Sequence, residues 1–216
     1  MTTTEGVARE QDTGAGRRSM GWRPIVRWFG IACLVVASGV GGYLGWLLWG
    51  TGLETKAAQR TLRADFVPRI GTLAGDDPAP APLSGDAYAE IVIPRISLDM
   101  IVVQGTDTED LKSGPGHYAD TANPWDAHGR VGIAGHRTTY LAPFWSLQQV
   151  REGDPITLKT AYGVFTYRVD HVFVIPSTGS GVVLDQTVRP TLVLTTCNPR
   201  FSASERLIVT ADRVDA

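Results

Sequence analysis

Residues 191–209 read TLVLTTCNPRFSASERLIV, and the pattern of this stretch sets what the rest of the fold must supply. A run of β-branched and apolar residues ends on Cys197, a polar loop follows, and a second apolar run opens with Arg206. Short apolar runs bounded by turn residues read as strands. Pro199 stops the first run, because proline lacks the donor that a strand ladder needs. If the two strands pair, a thiol and a guanidinium sit at one edge of a sheet. Thiolate rather than thiol attacks carbonyl carbon, and a fixed guanidinium suits the oxyanion that forms. Thiol plus cation is half of a cysteine acyl-transfer site, and the missing half is a histidine.

Of the four histidines, His136 is the preferred partner: it follows the apolar run 130–134 and Gly135, and precedes the polar loop Arg137-Thr138-Thr139-Tyr140. His117, in Gly116-His117-Tyr118, also lies in a Gly-rich loop and is its competitor. His128 shares a polar loop with Asp126 and His171 sits in mid-strand, so both read as structural. Arg200 is the local alternative to Arg206, but it lies in the loop and is less constrained.

Outward from this stretch the strand pattern continues. From residue 87 onward the chain is a series of short β runs separated by turn residues. Residues 90–94, 98–104, 130–134, 156–159, 163–170, 171–175, 192–196 and 207–211 read as strands, with plain alternation in Val164-Phe165-Thr166-Tyr167-Arg168-Val169. Residues 108–113 read as a helical turn, and Phe144, Leu147 and Val150 give 142–150 a helical spacing. Eight short, evenly spaced strands with few helices predict a mostly β, eight-stranded barrel.

The N-terminal part differs. No residue from Trp28 to Leu53 is charged, a run long enough to cross a hydrocarbon core of about 30 Å. Trp28 and Phe29 at one end, and Trp46 and Trp49 at the other, suit the two interfaces. Arg17, Arg18, Arg23 and Arg27 crowd the N-terminal flank, so the positive-inside rule puts residues 1–27 in the cytoplasm and the chain beyond about residue 50 outside. A cleaved signal peptide is the rival reading, but the apolar run continues past the small residues at 36–38. Residues 1–21 have the composition of a disordered tail. Residues 51–67 read as a juxtamembrane helix with Leu53, Ala57, Ala58, Leu62 and Phe66 on one stripe, ended by Pro68. Residues 71–86 read as a Pro/Ala linker holding a domain off the membrane. The expected division is tail 1–27, transmembrane anchor 28–50, juxtamembrane segment and linker 51–86, and catalytic domain 87–216.

A net charge of −2 gives no argument for nucleic-acid binding. The two cysteines cannot pair, because Cys33 lies in the apolar span and Cys197 beyond it. A lone thiol outside the cell is exposed to oxidation, so its presence there asks for either chemistry or deep burial.

The segment Val193-Leu194-Thr195-Thr196-Cys197, with Arg206 opening the next strand, resembles the signature of sortases, the transpeptidases that attach proteins to Gram-positive cell walls. Val193 stands where the family motif begins with threonine. The likeness extends to Ile93-Pro94-Arg95-Ile96, Gly116-His117-Tyr118 and Phe144-Trp145-Ser146-Leu147, and is greatest to class E, the housekeeping type of actinobacteria. The resemblance implies a sortase-type β-barrel with Cys197 as nucleophile, His136 as acid/base and Arg206 as oxyanion support. Tyr140, Thr195, Thr196 and His117 are the candidates for contacting substrate. It implies a sorting signal of LAxTG or LPxTG type on secreted proteins and an amine of a peptidoglycan precursor as acceptor. It calls for no cofactor and no metal. At ordinary values of about 8.5 for a thiol and 6.5 for an imidazole, about 1% of molecules near pH 7.5 hold thiolate and imidazolium together. A hydrolytic cysteine peptidase and a membrane-anchored binding module with an inert cysteine remain the rivals. An L,D-transpeptidase is disfavoured, since its Ser-x-Gly-Cys-type motif is absent.

Overall fold

The computed structural model describes residues 22–46, 50–73 and 82–214. The chain divides into two compact units, Met1–Gly42 and Tyr43–Ala216. Helix α1, Trp22–Gly45, provides the described part of the first unit. It has 24 residues, with an 18-residue window of mean hydropathy 1.7, and is long and apolar enough to cross a membrane. It starts earlier than the uncharged run, taking in Arg23 and Arg27, and the tail 1–21 lies outside the described residues.

The second unit is a closed barrel of eight strands: β1 (Ala87–Ile93), β2 (Leu98–Gln104), β3 (Gly116–His117), β4 (Arg130–Ala134), β5 (Pro155–Thr160), β6 (Gly163–Pro176), β7 (Thr191–Asn198) and β8 (Glu205–Arg213). Their order around the wall is β1-β2-β3-β4-β7-β8-β6-β5, and β1 pairs with β5 to close it. The pairs β2–β3 and β4–β7 are parallel; the others are antiparallel. Ile91, Ile133, Leu158, Leu192 and Leu194 meet inside with Phe144 and Leu147 from the loop after β4.

The expected strand number holds for a reason the pattern did not show. Runs 163–170 and 171–175 are one strand, β6, whose break in alternation is a bulge between Val169 and His171 opposite β8. The eighth strand is β3, two residues with no apolar run to announce them. Residues 142–150 contain turns and one short 3-10 turn, Leu147–Gln149, rather than an α-helix. Pro143 and a left-handed Ala142 (φ 45°) interrupt it, yet Phe144, Leu147 and Val150 are all buried.

Helix α2, Thr51–Phe66, forms where the spacing predicts, but a different face packs. Leu53 is 71% exposed, while Thr51, Thr55, Gln59 and Phe66 are buried. The cause lies in the short β3. Along β2 it reaches only Val103 and Gln104, leaving the outward main-chain groups of Ile101 without a strand. Gln59 takes that place: its Oε1 accepts from Ile101 N at 2.8 Å, and its Nε2 donates to Ile101 O and Ser113 O, each at 2.8 Å. Thr55 Oγ1 donates to Lys112 O at 2.7 Å, in the helical turn α3 (Thr108–Ser113). One turn further along α2, Arg63 joins Lys159 in neutralising the buried Glu90 of β1. The helix therefore docks on the barrel wall instead of standing in a spacer. Part of the expected linker, residues 74–81, lies outside the described residues.

Candidate active site

Cys197 and Arg206 are directly opposite in the β7–β8 ladder. Directly opposite residues share a sheet face with Cβ atoms about 5 Å apart, so sulfur and guanidinium emerge together. β4 runs parallel to β7 on its other side, with Ala134 opposite Thr195. Gly135 N donates to Thr195 O at 3.1 Å, and Thr196 Oγ1 donates to Gly135 O at 2.7 Å. The next residues along the two segments are His136 and Cys197. Residues that are 61 apart in sequence thus leave the same end of neighbouring strands. Gly135 is needed for this exit, because a Cβ there would lie 2.6 Å from the Phe144 ring.

Burial lowers the affinity of the His136 imidazole for its proton. Its Nε2 has no hydrogen-bond partner among the described residues, so the nitrogen is unclaimed for proton transfer. The Tyr140 ring packs against it with centroids 5.0 Å apart. Tyr140, Leu141 and Ala142 take left-handed φ values of 53°, 61° and 45° in succession, a costly run for non-glycine residues and one that clusters at functional sites. Ala142 N, donating to Thr139 O at 2.7 Å, helps hold it.

Arg206 donates through Nη1 to Ala203 O and Glu205 O, each at 3.0 Å, which fixes it against its own loop. The Glu205 carboxylate accepts instead from Asn198 Nδ2 at 2.7 Å. Arg206 has no ion pair among the described residues, so its charge stays free for a ligand. Arg200 is also constrained, but by Trp145: its guanidinium lies 4.0 Å from that ring and Nη2 donates to Trp145 O at 3.0 Å.

The remaining candidates divide by depth. Tyr140 is half-buried beside His136. Thr195 and Thr196 are buried, with Thr195 Oγ1 3.0 Å from Tyr118 OH and Thr196 bonded as above, so both set the geometry of the strand end. His117 is 1% exposed, stacked on Tyr88 at 4.1 Å. Its Nδ1 is 3.0 Å from the Gln104 carboxamide and its Nε2 is 3.1 Å from Ala122 O. Burial pushes its pKa down to about 4. It sits in the wall of the barrel, not on a surface open to a peptide.

Strand alternation puts Val193, Thr195 and Cys197 on one face of β7. Ile208 lies opposite Thr195, while Phe173 and Ile175 of β6 continue the same face beside Ile208 and Arg206. A short turn, Ser180–Leu184, leans over it through Val183. The near part of this face, Val193, Thr195 and Ile208, is buried under that turn, while Phe173 and Ile175 stay at least partly exposed beside Arg206. Three cavities of about 240, 410 and 610 Å³ lie elsewhere, and none is lined by Cys197, His136 or Arg206.

One residue beside Cys197 gives no signal in the sequence. Arg137, a polar residue in a polar loop by pattern, is 5% exposed and donates through Nη1 to Cys197 O at 3.3 Å.

Residues 91–214 match the sortase domain family. Sortase D of Bacillus subtilis is 30% identical over 198 residues, covering 85% of this chain and 98% of that protein. The Clostridium perfringens sortase D5 transpeptidase superposes with a TM-score of 0.63 at 25% identity, over 73% of this chain and 99% of the other. Sortase E1 of Streptomyces coelicolor, crystallised with a tripeptide in its active site, superposes with a TM-score of 0.56 at 31% identity, over 62% and 91% respectively.

Proposed function

Because the chain belongs to the sortase family and is thus a cysteine transpeptidase, we propose that Cys197, His136 and Arg206 cut a C-terminal sorting signal of LAxTG or LPxTG type and pass its threonine to a cell-wall amine. The observation carrying this reading is the register that sets Cys197 opposite Arg206 at the end of the strand running parallel to β4 and its His136 exit. Cys197 as thiolate attacks the carbonyl carbon of the Thr–Gly bond, and the carbonyl electrons move to oxygen. Arg206, with no carboxylate to neutralise it, faces the resulting oxyanion. Collapse breaks the C–N bond, His136 as imidazolium gives its proton to the departing glycine nitrogen, and a thioester remains. Neutral His136 then takes a proton from the amine of a peptidoglycan precursor as that amine attacks the thioester and expels the thiolate. Burial of the imidazole favours its neutral form, so the charged pair is a minor state and turnover is slow. Phe173 and Ile175, the accessible part of the face that carries Arg206, offer apolar contact for the Leu and Ala or Pro side chains that precede the scissile bond. With α1 as a retained anchor and its flanking arginines inside, the barrel faces the exterior, where exported proteins and lipid-linked precursors meet it.

Mass spectrometry of the protein incubated with a labelled LAxTG peptide tests this. Wild type is expected to accumulate a thioester on Cys197 and, given an amine acceptor, to yield ligated peptide. Cys197→Ala forms no adduct. His136→Ala and Arg206→Ala each lose about 10²-fold or more in rate. Full activity in Arg206→Ala, or an adduct on any other residue, rejects the assignment, and release of free acid alone despite excess amine favours the peptidase.

A further inference from the structure

The geometry points to Arg137 as a second cation of the site, a positioning residue that holds the end of β7 and favours negative charge at Cys197; this rests on Cys197 being the nucleophile. Arg137 follows His136 directly and turns inward beneath the loop 142–150. Its Nη1 donates to Cys197 O at 3.3 Å and its Nη2 to Gln148 Oε1 at 2.9 Å, while the buried Nε finds no partner among the described residues. No carboxylate among the described residues pairs with it. Such burial is heavily penalised for a guanidinium, which does not shed its proton. Burial and the like charge of Arg200 both lower its proton affinity, and Cys197 acts in the opposite sense.

A hydrocarbon of similar length would fill the same space without that cost, and a neutral amide could supply a hydrogen bond to the carbonyl. What neither supplies is the charge. The anion that completes the arrangement is the Cys197 thiolate, followed by the oxyanion built on the carbon it attacks. Arg206 meets that charge from across the ladder, on the substrate side. Arg137 meets it from the main-chain side, where no substrate reaches. One residue pair of neighbouring sequence, His136-Arg137, thereby supplies both the proton carrier and a fixed field, and the hydrogen bond to Cys197 O ties that pair to the strand that carries the sulfur.

The test is the rate of Cys197 alkylation by iodoacetamide in the full chain, in a Cys33→Ser background so that the other thiol is silent. Arg137→Gln, Arg137→Met and Arg137→Lys are compared with the parent. At about pH 7.5 the Gln and Met variants are expected to react about tenfold more slowly, the effect of losing one opposite charge at short range, while Lys stays within about threefold of the parent. Near pH 10, where thiols are largely ionised, the difference should vanish. Met keeps the packed volume, so it serves if Gln fails to fold, and an unfolded chain is recognised by alkylating as fast as free cysteine. Equal rates at pH 7.5, or a gap that persists near pH 10, overturn the inference, the latter because it reports access and not charge. Failure of the parent to form a peptide thioester would reject the transpeptidase reading itself; normal thioester formation without an alkylation gap rejects the role of Arg137 alone.

Discussion

His117 makes the stability of this protein depend on pH in a direction its burial dictates. Its pKa in the folded chain is about 4, against 6.5 ordinarily. Above about pH 6.5 both folded and unfolded chains hold it neutral. Between about 6.5 and 4 the unfolded chain takes up a proton that the folded chain refuses, so stability falls as pH falls, by about 3 kcal/mol in total. Below about 4 both are protonated and this contribution is flat. Urea denaturation at pH 7.5 and 4.5 is expected to show a smaller acid loss in His117→Asn than in wild type; an equal loss would mean that His117 is not the group responsible. The same residue shows where sequence reading stops. His117 and His136 both follow glycines; the apolar run 130–134 before Gly135 favoured His136, but nothing local showed that the His117 ring is buried and stacked on Tyr88. The resemblance pointed to His136 as well. Cys197 and Arg206 were legible without it, because their places at strand ends follow from the apolar runs. Arg137 was not, since its burial depends on Gln148 and a loop that pattern alone does not fold.

At the level of elements, α2 carries the largest difference between expectation and structure. Its apolar residues repeat at helical spacing, yet the packing face is the stripe Thr51, Thr55, Gln59 and Arg63. Periodicity of apolar residues locates a core-facing stripe only when the surface met is itself apolar. Here the helix meets main-chain groups left over by a two-residue strand, and a carboxamide answers them better than a leucine. Replacing Gln59 with Leu strands the N–H and C=O of Ile101 away from water, at a cost of about 1–3 kcal/mol. The urea midpoint in detergent should drop accordingly, whereas Leu53→Ala, on the exposed side, should leave it within about 0.5 kcal/mol of wild type. A Gln59→Leu chain as stable as wild type would show that α2 only rests against the wall.

At the scale of the whole chain, α1 predicts how the protein fractionates. If it is a retained anchor, an alkaline carbonate wash leaves the protein with the membrane and detergent releases it, whereas a chain beginning at residue 50 appears in the wash. Release of the full chain by the wash would instead favour a cleaved leader. Barrel class and the uncharged span were readable from residue pattern, because each depends on local runs, whereas the strand count agreed only because one merged pair offset the unannounced β3. Strand order was not, for it depends on the parallel pairs β2–β3 and β4–β7, which no hairpin turn announces. That order has a developmental consequence. The imidazole strand is laid beside one made some sixty residues later, and the final strand inserts between β6 and β7 to bring the guanidinium. A nascent chain that stops before β8 thus holds Cys197 and His136 but not Arg206, so the proposed trio is complete only once β8 has been made.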